Sequence, residues 1–132
     1  MLHFYMSTRP KPKAFKTKRL SKNAKNAQIS DSDLCGAIHE VMAGQAVDLG
    51  GGVYKKKLNK NQHRSIILAK GGEYWIYEYL FAKKDRDNIY DAELAMFRII
   101  AKGYEGLTKS QLANLIAQKH LLEICHDDEK KV

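Results

Sequence analysis

The feature of this sequence that most constrains its fold is a series of three β-rich runs, the last two joined by Gly71-Gly72. The runs cover residues 53–58 (VYKKKL), 64–70 (RSIILAK) and 73–82 (EYWIYEYLFA). Two glycines between such runs predict a tight hairpin, because a type I′ turn needs a positive φ at both central positions. The three runs therefore predict an antiparallel β-meander.

The hairpin also predicts a register for the second and third strands. If Lys70 lies opposite Glu73, then Arg64 lies opposite Tyr79. Because side chains alternate along a strand, one face of the sheet would carry Arg64 and a row of aromatic side chains. These are Trp75, Tyr77, Tyr79 and Phe81. The opposite face is aliphatic, and we expect helices to cover it.

Helical patterns precede the meander. Residues 14–18 (AFKTK) alternate enough to predict a short strand, and residues 19–27 predict a basic helix. A second helix begins at residues 30–33 (SDSD), where Ser or Asp supplies the N-cap and further Asp residues favour the positive end of the helix dipole. Gly44 is the predicted end of that helix.

Two helices are predicted after the meander, over about residues 91–102 and 109–122. Gly103 and Gly106 end the first, and the capping box Thr108-x-x-Gln111 begins the second. The order is therefore β-α-α-β-β-β-α-α. This order predicts an α+β fold, with an N-terminal strand and a helical hairpin packed on an antiparallel β-meander and with C-terminal helices.

Charge is distributed unevenly along the 132 residues, whose net charge is +8. Residues 1–27 contain eight Lys or Arg and no acid, whereas residues 28–126 are close to neutral. We expect a flexible basic arm over residues 1–12, one domain over residues 13–126 and a charged C-terminal tail over residues 127–132. A basic segment indicates an acidic partner, most commonly nucleic acid, or simply a solvated tail.

Cysteine and hydropathy patterns suggest a cytoplasmic protein. Only Cys35 and Cys125 are present, one on a predicted helix and one near the C-terminus, so no disulfide framework is expected. Cys125 and His126 with His120 provide too few ligands for a structural zinc site, and no metal is expected. No apolar run approaches the ~18 residues of a membrane span.

The run GGGVYKKKLNKNQHRS, residues 50–65, concentrates positive charge without an acid. Strand alternation places Lys55 and Lys57 on one face and Lys56 on the other, with Arg64 opening the next strand beside them. Such a cluster is consistent with a charged strand edge that resists aggregation or with a phosphate-binding site. The glycines lead into a strand rather than a helix, so they predict an entry turn and not a phosphate-binding loop.

Two stretches resemble a known family. The run YKKKLNKNQHRSIIL resembles the second and third strands of RelE-type toxins, which belong to the bacterial RelE/ParE toxin superfamily. FAKKDRDNIY resembles the segment that ends the family's fourth strand. The similarity covers roughly residues 14–104 and is greatest to the HigB/RelE-like branch, which is encoded beside a helix-turn-helix antitoxin.

The resemblance implies an endoribonuclease, or mRNA interferase, that inhibits translation. RelE-type toxins cut messenger RNA in the ribosomal decoding site, where the 2′-hydroxyl attacks the adjacent phosphate. This reaction needs a base, an acid and stabilisation of the developing oxyanion, and it needs no metal or other cofactor. The implied partners are messenger RNA on the ribosome and a protein antitoxin of the helix-turn-helix type.

The resemblance also implies roles for individual residues. Lys57 corresponds to the base, Lys55 to a phosphate-holding neighbour, and Arg64 to the group that stabilises the pentavalent phosphate. Lys84 occupies the place of an arginine that acts as the acid, although a flat sheet would put Lys83 on the Arg64 face. Further contacts to RNA are expected from the following side chains: Lys60, His63, Lys83, Arg86 and Tyr90.

Two other functions are compatible with parts of the sequence. A ParE-like inhibitor of DNA gyrase would have the same fold, although members of that branch typically lack the clustered lysines. A DNA-binding regulator is suggested by residues 107–116 (LTKSQLANLI), which resemble the first part of a helix-turn-helix. The segment that follows has few side chains suited to reading base edges.

Overall fold

The computed structural model describes residues 12–71 and 73–126, and the predicted arm and tail lie almost wholly outside them. The secondary-structure elements are, in chain order, β1 (Ala14–Thr17), α1 (Lys18–Asn26), α2 (Asp31–Met42), β2 (Val47–Gly50), β3 (Val53–Leu58), β4 (His63–Lys70), β5 (Tyr74–Ala82), α3 (Asp91–Glu105), α4 (Lys109–Ala117) and β6 (Leu121–Glu123). None of the described helices is both long and apolar enough to span a membrane.

The strands form one mixed sheet with the order β2-β3-β4-β5-β1-β6. Strands β2 to β5 pair antiparallel in sequence order, β1 pairs parallel to β5, and β6 pairs antiparallel to β1. The predicted α+β fold is confirmed. Strands β2 and β6 were not predicted, and α4 ends at Ala117 rather than near residue 122, because the chain turns there to add β6 to the sheet.

Helices cover both faces of the sheet. We call the face against α1 and α2 the α2 face, and its core includes Leu34, Ile38 and Ile67, all with 0% exposure. The α3 face packs against α3 and α4, and its core includes Val53, Ile66 and Ile76. Helices were predicted on the aliphatic face, and the structure has them on the other face as well.

A bulge in β5 changes the predicted register. Lys70 lies opposite Tyr74 rather than Glu73. Ile67 pairs with Tyr77 and Ile66 with Tyr79, which leaves the intervening residue of β5 without a partner on β4. An extra residue of this kind shifts all later side chains to the opposite face.

The bulge divides the aromatic row between the two faces. Tyr77 is completely buried on the α2 face, where its hydroxyl donates a hydrogen bond of 2.8 Å to the carbonyl of Leu34 in α2. Tyr79 and Phe81 lie on the α3 face, with ring centroids 5.7 Å apart. The prediction of four aromatics on one face is therefore wrong, whereas the placement of Tyr79 and Phe81 on the same face as Arg64 holds.

Helix α1 begins where β1 stops pairing with β5. The hydroxyl of Thr17 caps the helix by accepting a hydrogen bond from the Leu20 amide at 3.1 Å. Leu20 and Ala24 are buried in the core of the α2 face, and α1 contacts β5. The basic helix predicted over residues 19–27 is thus present, and its buried side fixes which side faces the solvent.

No disulfide framework was predicted, but the structure contains one disulfide. Cys35 on α2 and Cys125, two residues after β6, form a disulfide with Cα atoms 5.2 Å apart. The two residues are 90 positions apart in the sequence, and the pairing of β6 with β1 brings them together. A second contact joins the same parts of the chain: Nε2 of His126, the residue after Cys125, lies 3.3 Å from the carboxylate of Asp31 at the start of α2.

The glycine run forms the turn between β2 and β3. Gly51 and Gly52 have φ values of +66° and +82°, in the region that favours glycine. A Cβ on Gly52 would lie only 3.1 Å from the carbonyl oxygen of Ala69, so a larger residue would crowd the neighbouring strand. The predicted entry turn is confirmed.

Candidate functional site

Three strand ends meet at one rim of the sheet: the end of β3, the beginning of β4 and the end of β5. Lys57 lies directly opposite Arg64, and Arg64 lies directly opposite Phe81. Lys55, two residues earlier on β3, points to the same face as Lys57. The α3 face at this rim therefore carries two lysines, an arginine and an aromatic ring.

Lys56 points to the opposite face and has a different environment. It is only 9% exposed, and its Nζ lies 2.8 Å from Glu40 Oε1 and 2.9 Å from the carbonyl oxygen of Gln45. Its carbonyl accepts a hydrogen bond from the hydroxyl of Ser65 across the strand pair. One lysine of the cluster thus anchors α2 to the sheet instead of contributing free charge at the rim.

Arg64 braces the loop between β3 and β4, residues 59–62, which we call the β3–β4 loop. Its Nη1 donates hydrogen bonds to the carbonyls of Asn61, at 2.9 Å, and His63, at 3.2 Å. The residue is 9% exposed. One edge of the guanidinium is therefore occupied by backbone oxygens.

The β3–β4 loop has an uncommon backbone. Asn59, Lys60 and Asn61 have φ values of +53°, +53° and +71°. Asparagine tolerates this left-handed region well, whereas lysine adopts it at a cost. The conformation holds Lys60 at the tip of the loop, where its side chain is exposed.

Two clefts flank this loop. The larger, about 860 Å³, is lined by Lys60, His63, Lys83 and Lys84, together with Asn26 at the end of α1. The other, about 540 Å³, lies between the loop and α2 and is lined by Lys57 and Lys60 among others. Lys60 is common to both clefts. The structure therefore gathers the predicted residues around the loop but places Lys57 and Lys84 in adjoining clefts.

Both Lys83 and Lys84 follow the end of β5 at Ala82 and lie in a turn. The Lys83 amide still donates to the carbonyl of Gln62, at 2.9 Å, so the backbone ladder with the β3–β4 loop continues for one more residue. Both side chains are exposed and line the larger cleft. The strand alternation that would place Lys83 on the Arg64 face does not extend into this turn.

Arg86 is held within the segment that joins β5 to α3, residues 83–90, which we call the β5–α3 loop. Its guanidinium is bound by both carboxylate oxygens of Glu93, at 2.5 and 3.1 Å, and by the hydroxyl of Tyr79 at 3.2 Å. The ring of Tyr90 stacks on it, with 4.4 Å from the guanidinium carbon to the centroid. Arg86 was predicted to contact RNA; the structure gives it protein partners on most of its donors.

The charges of this pair stabilise each other. The hydrogen bond from Arg86, followed by that from the Tyr90 amide, lowers the pKa of Glu93 below the usual carboxylate range. The hydrogen bond to Glu93 is also the main cause of the raised pKa of Arg86. Glu93 closes the capping box of α3 through its 2.7 Å hydrogen bond with the Tyr90 amide, so the ion pair ties the loop to the start of the helix.

Asn88 links this loop to the lysine pair. Its side-chain oxygen accepts a hydrogen bond of 3.2 Å from Lys55 Nζ, and its backbone carbonyl accepts one of 2.9 Å from Arg86 Nε. Asn88 and Glu93 were not among the predicted site residues. The position of Glu93 in the first turn of a predicted helix was a signal for capping, but the contact between Asn88 and Lys55 spans 33 residues and had none.

The rim carries several cations that form no ion pair in the described part of the chain, although Asp33, Asp85 and Asp87 also line its clefts. Among the ion pairs of the described residues, none involves Lys57, Lys60, Lys83 or Lys84. Residues 12–71 and 73–126 contain no group of three or more His, Cys, Asp or Glu that could hold a metal ion. The side chains at the rim can bind phosphate, and amine and imidazole groups can transfer protons.

A family model described as RelE toxin of the RelE / RelB toxin-antitoxin system matches residues 12–124. The match covers most of the chain, so the protein is a toxin of a toxin–antitoxin system and belongs to the RelE toxin family. Family membership implies an antitoxin partner. No curated protein and no solved structure matches the chain.

Proposed function

We propose that this toxin is a metal-independent endoribonuclease that cleaves messenger RNA on the ribosome and thereby inhibits translation in the cytoplasm. The observation that carries the proposal is the direct pairing of Lys57 with Arg64 at a rim where several further cations have no ion-pair partner among the described residues. Such a rim suits a phosphodiester, which carries one negative charge per nucleotide.

Lys57 is the proposed base, because its exposed amine has no ion-pair partner among the described residues. In its neutral form, the amine takes the proton of the 2′-hydroxyl while that oxygen bonds to the adjacent phosphorus. Arg64, which lies directly opposite Lys57 in the strand pairing, stabilises the charge of the pentavalent phosphate. Lys55 contributes positive charge from the same face, and its hydrogen bond to Asn88 limits its movement.

Lys84 is the proposed acid. It protonates the 5′-oxygen as the bond between phosphorus and that oxygen breaks, leaving a 2′,3′-cyclic phosphate and a 5′-hydroxyl. Lys57 and Lys84 line adjoining clefts that share Lys60, so the RNA strand would cross the β3–β4 loop with the scissile phosphate within reach of both amines. Lys60, Lys83 and His63 surround this path. Tyr90 is 68% exposed and offers a ring on which a base can stack, while Arg86 supports that ring from behind.

The proposed antitoxin is a protein of the helix-turn-helix class that neutralises the toxin by covering this rim. One observation favours the rim as the binding surface of the antitoxin: several of its lysines form no ion pair among the described residues. An acidic segment bound there would exclude RNA by competing for the same lysines.

The test is cleavage of a programmed messenger RNA by purified toxin with and without ribosomes. We expect cuts that end in 2′,3′-cyclic phosphate and that persist in the presence of a metal chelator. Lys57→Ala should remove the cuts, and the wild-type toxin should leave DNA gyrase supercoiling unchanged. Intact message together with inhibited gyrase would reject the proposal in favour of a ParE-like function. Specific binding to duplex DNA would favour a regulator.

A further inference from the structure

Helix α1 presents a row of cations to the solvent. Lys18, Lys22 and Lys25 follow one another at spacings of four and three residues, so they lie on one side of the helix. All three are exposed, while Leu20 and Ala24 on the other side are buried in the core. We call Lys18, Lys22 and Lys25 the α1 basic face.

The α1 basic face has no counter-charge nearby in its own helix. The nine residues of α1 include no acid, and none of the three lysines takes part in an ion pair among the described residues. By contrast, Lys16 just before the helix pairs with Asp31 at 2.6 Å. Three unneutralised like charges repel one another, so a row of this kind is stabilised by an anionic ligand.

The row leads to the candidate site. Asn23 and Asn26, in the last turns of α1, line a cleft of about 470 Å³ that also contains His63, Phe81 and Lys84. Asn26 lines the larger cleft as well, together with Lys60 and Lys83. The C-terminal end of α1, which carries Lys25, therefore borders the clefts that contain the rim cations.

We propose that the α1 basic face is a track for the RNA backbone, along which the strand on one side of the scissile phosphate runs. This inference rests on the proposed RNA-directed function. Lysine contributes a mobile point charge, which suits phosphate contacts that position a strand without reading its sequence. Asn23 and Asn26 add amide groups at the point where the strand would pass from the helix into the cleft.

The experiment compares two triple variants of equal net charge. One is Lys18→Gln with Lys22→Gln and Lys25→Gln. The matched control neutralises three exposed lysines outside the clefts that contain the candidate residues: Lys102→Gln, Lys109→Gln and Lys119→Gln. Glutamine keeps the helix propensity of lysine, and a thermal unfolding curve verifies that each variant is folded.

The probe is a single-stranded oligonucleotide with 2′-O-methyl riboses, which binds but has no 2′-hydroxyl to attack. Its affinity is measured as a function of salt concentration. Each lost phosphate contact lowers the slope of log K against log salt by ~0.7 for single strands, so we expect a reduction of about 2 for the α1 variant. The control variant should keep the wild-type slope. Equal slopes for the two variants would overturn the proposal.

Two further outcomes separate this inference from the proposed function. If wild-type toxin fails to cleave message but the α1 variant still has a smaller salt dependence of binding than the control variant, the track stands and the nuclease proposal fails. If cleavage occurs but the α1 variant binds the probe as tightly as the control variant does, the track is wrong and the nuclease proposal stands. Poly-glutamate serves as a second probe. If the α1 variant loses binding to poly-glutamate but still binds the RNA probe as wild type does, the face belongs to an acidic protein and the track is overturned.

Discussion

Lys57 on β3 lies directly opposite Arg64 on β4, whereas Lys56, one residue earlier, lies opposite Ser65 on the other face of the sheet. Adjacent lysines of the same run therefore have different tasks. Lys56 is bound to Glu40 and to the carbonyl of Gln45, whereas Lys57 is exposed at the rim. This difference allows stability and activity to be tested separately.

Replacing Lys57 and Lys56 in turn should produce opposite results. Lys57→Ala removes the proposed base, so we expect RNA cleavage to fall by at least ~100-fold. The change should alter the free energy of unfolding by less than ~0.5 kcal/mol, since the side chain is exposed. Lys56→Ala should cost about 1 kcal/mol of stability and leave most of the activity. Cleavage assays and urea unfolding of both variants measure this, and a Lys56→Ala toxin that is folded but inactive would contradict it.

The ion pair between Glu93 and Arg86 should make the β5–α3 loop sensitive to acid. The pKa of Glu93 is lowered, chiefly by Arg86, so the folded state favours the charged carboxylate. Its contribution to stability is therefore complete above the ordinary carboxylate pKa and is lost as the pH falls through the lowered value. Glu93→Gln should be less stable than wild type at neutral pH, and the difference should vanish in acid.

Amide hydrogen exchange of residues 85–90 is the local readout for this ion pair. We expect faster exchange in Glu93→Gln at neutral pH, because the loop loses its link to the first turn of α3. Glu105→Gln removes a carboxylate at the other end of α3 and is the matched control. Equal exchange in these two variants would show that the ion pair does not order the loop.

The bond between Cys35 and Cys125 should contribute strongly to stability. It closes a loop of 90 residues, and cross-links of this kind typically stabilise the folded state by about 2–4 kcal/mol. Cys35→Ala should lower the midpoint of thermal unfolding under oxidising conditions. A reductant should lower the wild-type midpoint to a similar extent and leave the variant unchanged. Two reactive thiols in the oxidised wild-type protein would contradict the prediction.

The left-handed backbone at Lys60 predicts a gain in stability on replacement by glycine. A non-glycine residue in this region costs about 1–2 kcal/mol, partly offset by the extra freedom of glycine in the unfolded chain. Lys60→Gly should therefore raise stability by about 0.5 kcal/mol while weakening RNA binding through the lost charge. Asn61→Gly tests the backbone effect without removing a charge, and it should change stability little because asparagine tolerates positive φ.

Much of the architecture followed from local patterns in the sequence. The cap at Ser30 and the capping box from Thr108 to Gln111 mark the starts of α2 and α4 where the structure has them. Gly44, with a φ of +89°, follows the end of α2 as predicted. These signals depend only on residues close in sequence, and local hydrogen bonds determine them.

Features that depend on distant residues could not be predicted in this way. Strand β6 has three residues and exists because β1 offers an open edge, which no pattern in residues 121–123 reveals. The bulge in β5 shifts half of the strand to the other face, and the alternation of its aromatics gave no sign of it. The disulfide depends on the position of β6, so missing the strand also meant missing the bond.

The candidate site was predictable only where it depends on residues close together in the sequence. Alternation along β3 placed Lys55 and Lys57 together and separated Lys56, as the structure has them. The partners of these side chains come from elsewhere in the chain: Glu40 from α2 for Lys56, and Asn88 from the β5–α3 loop for Lys55. Counting the lysines in such a sequence run therefore gives more cations available for a ligand than the folded site has.

The position of β1 has a consequence for the biosynthesis of this toxin. Phe15 lies between Ile76 on one side and Glu123 on the other, so the first strand is completed by some of the last described residues. Contacts this distant along the chain form slowly and require all residues up to 123. While residues 121–125 of a nascent toxin are still inside the ribosomal exit tunnel, β6 cannot pair with β1, and the sheet can close only after they have emerged.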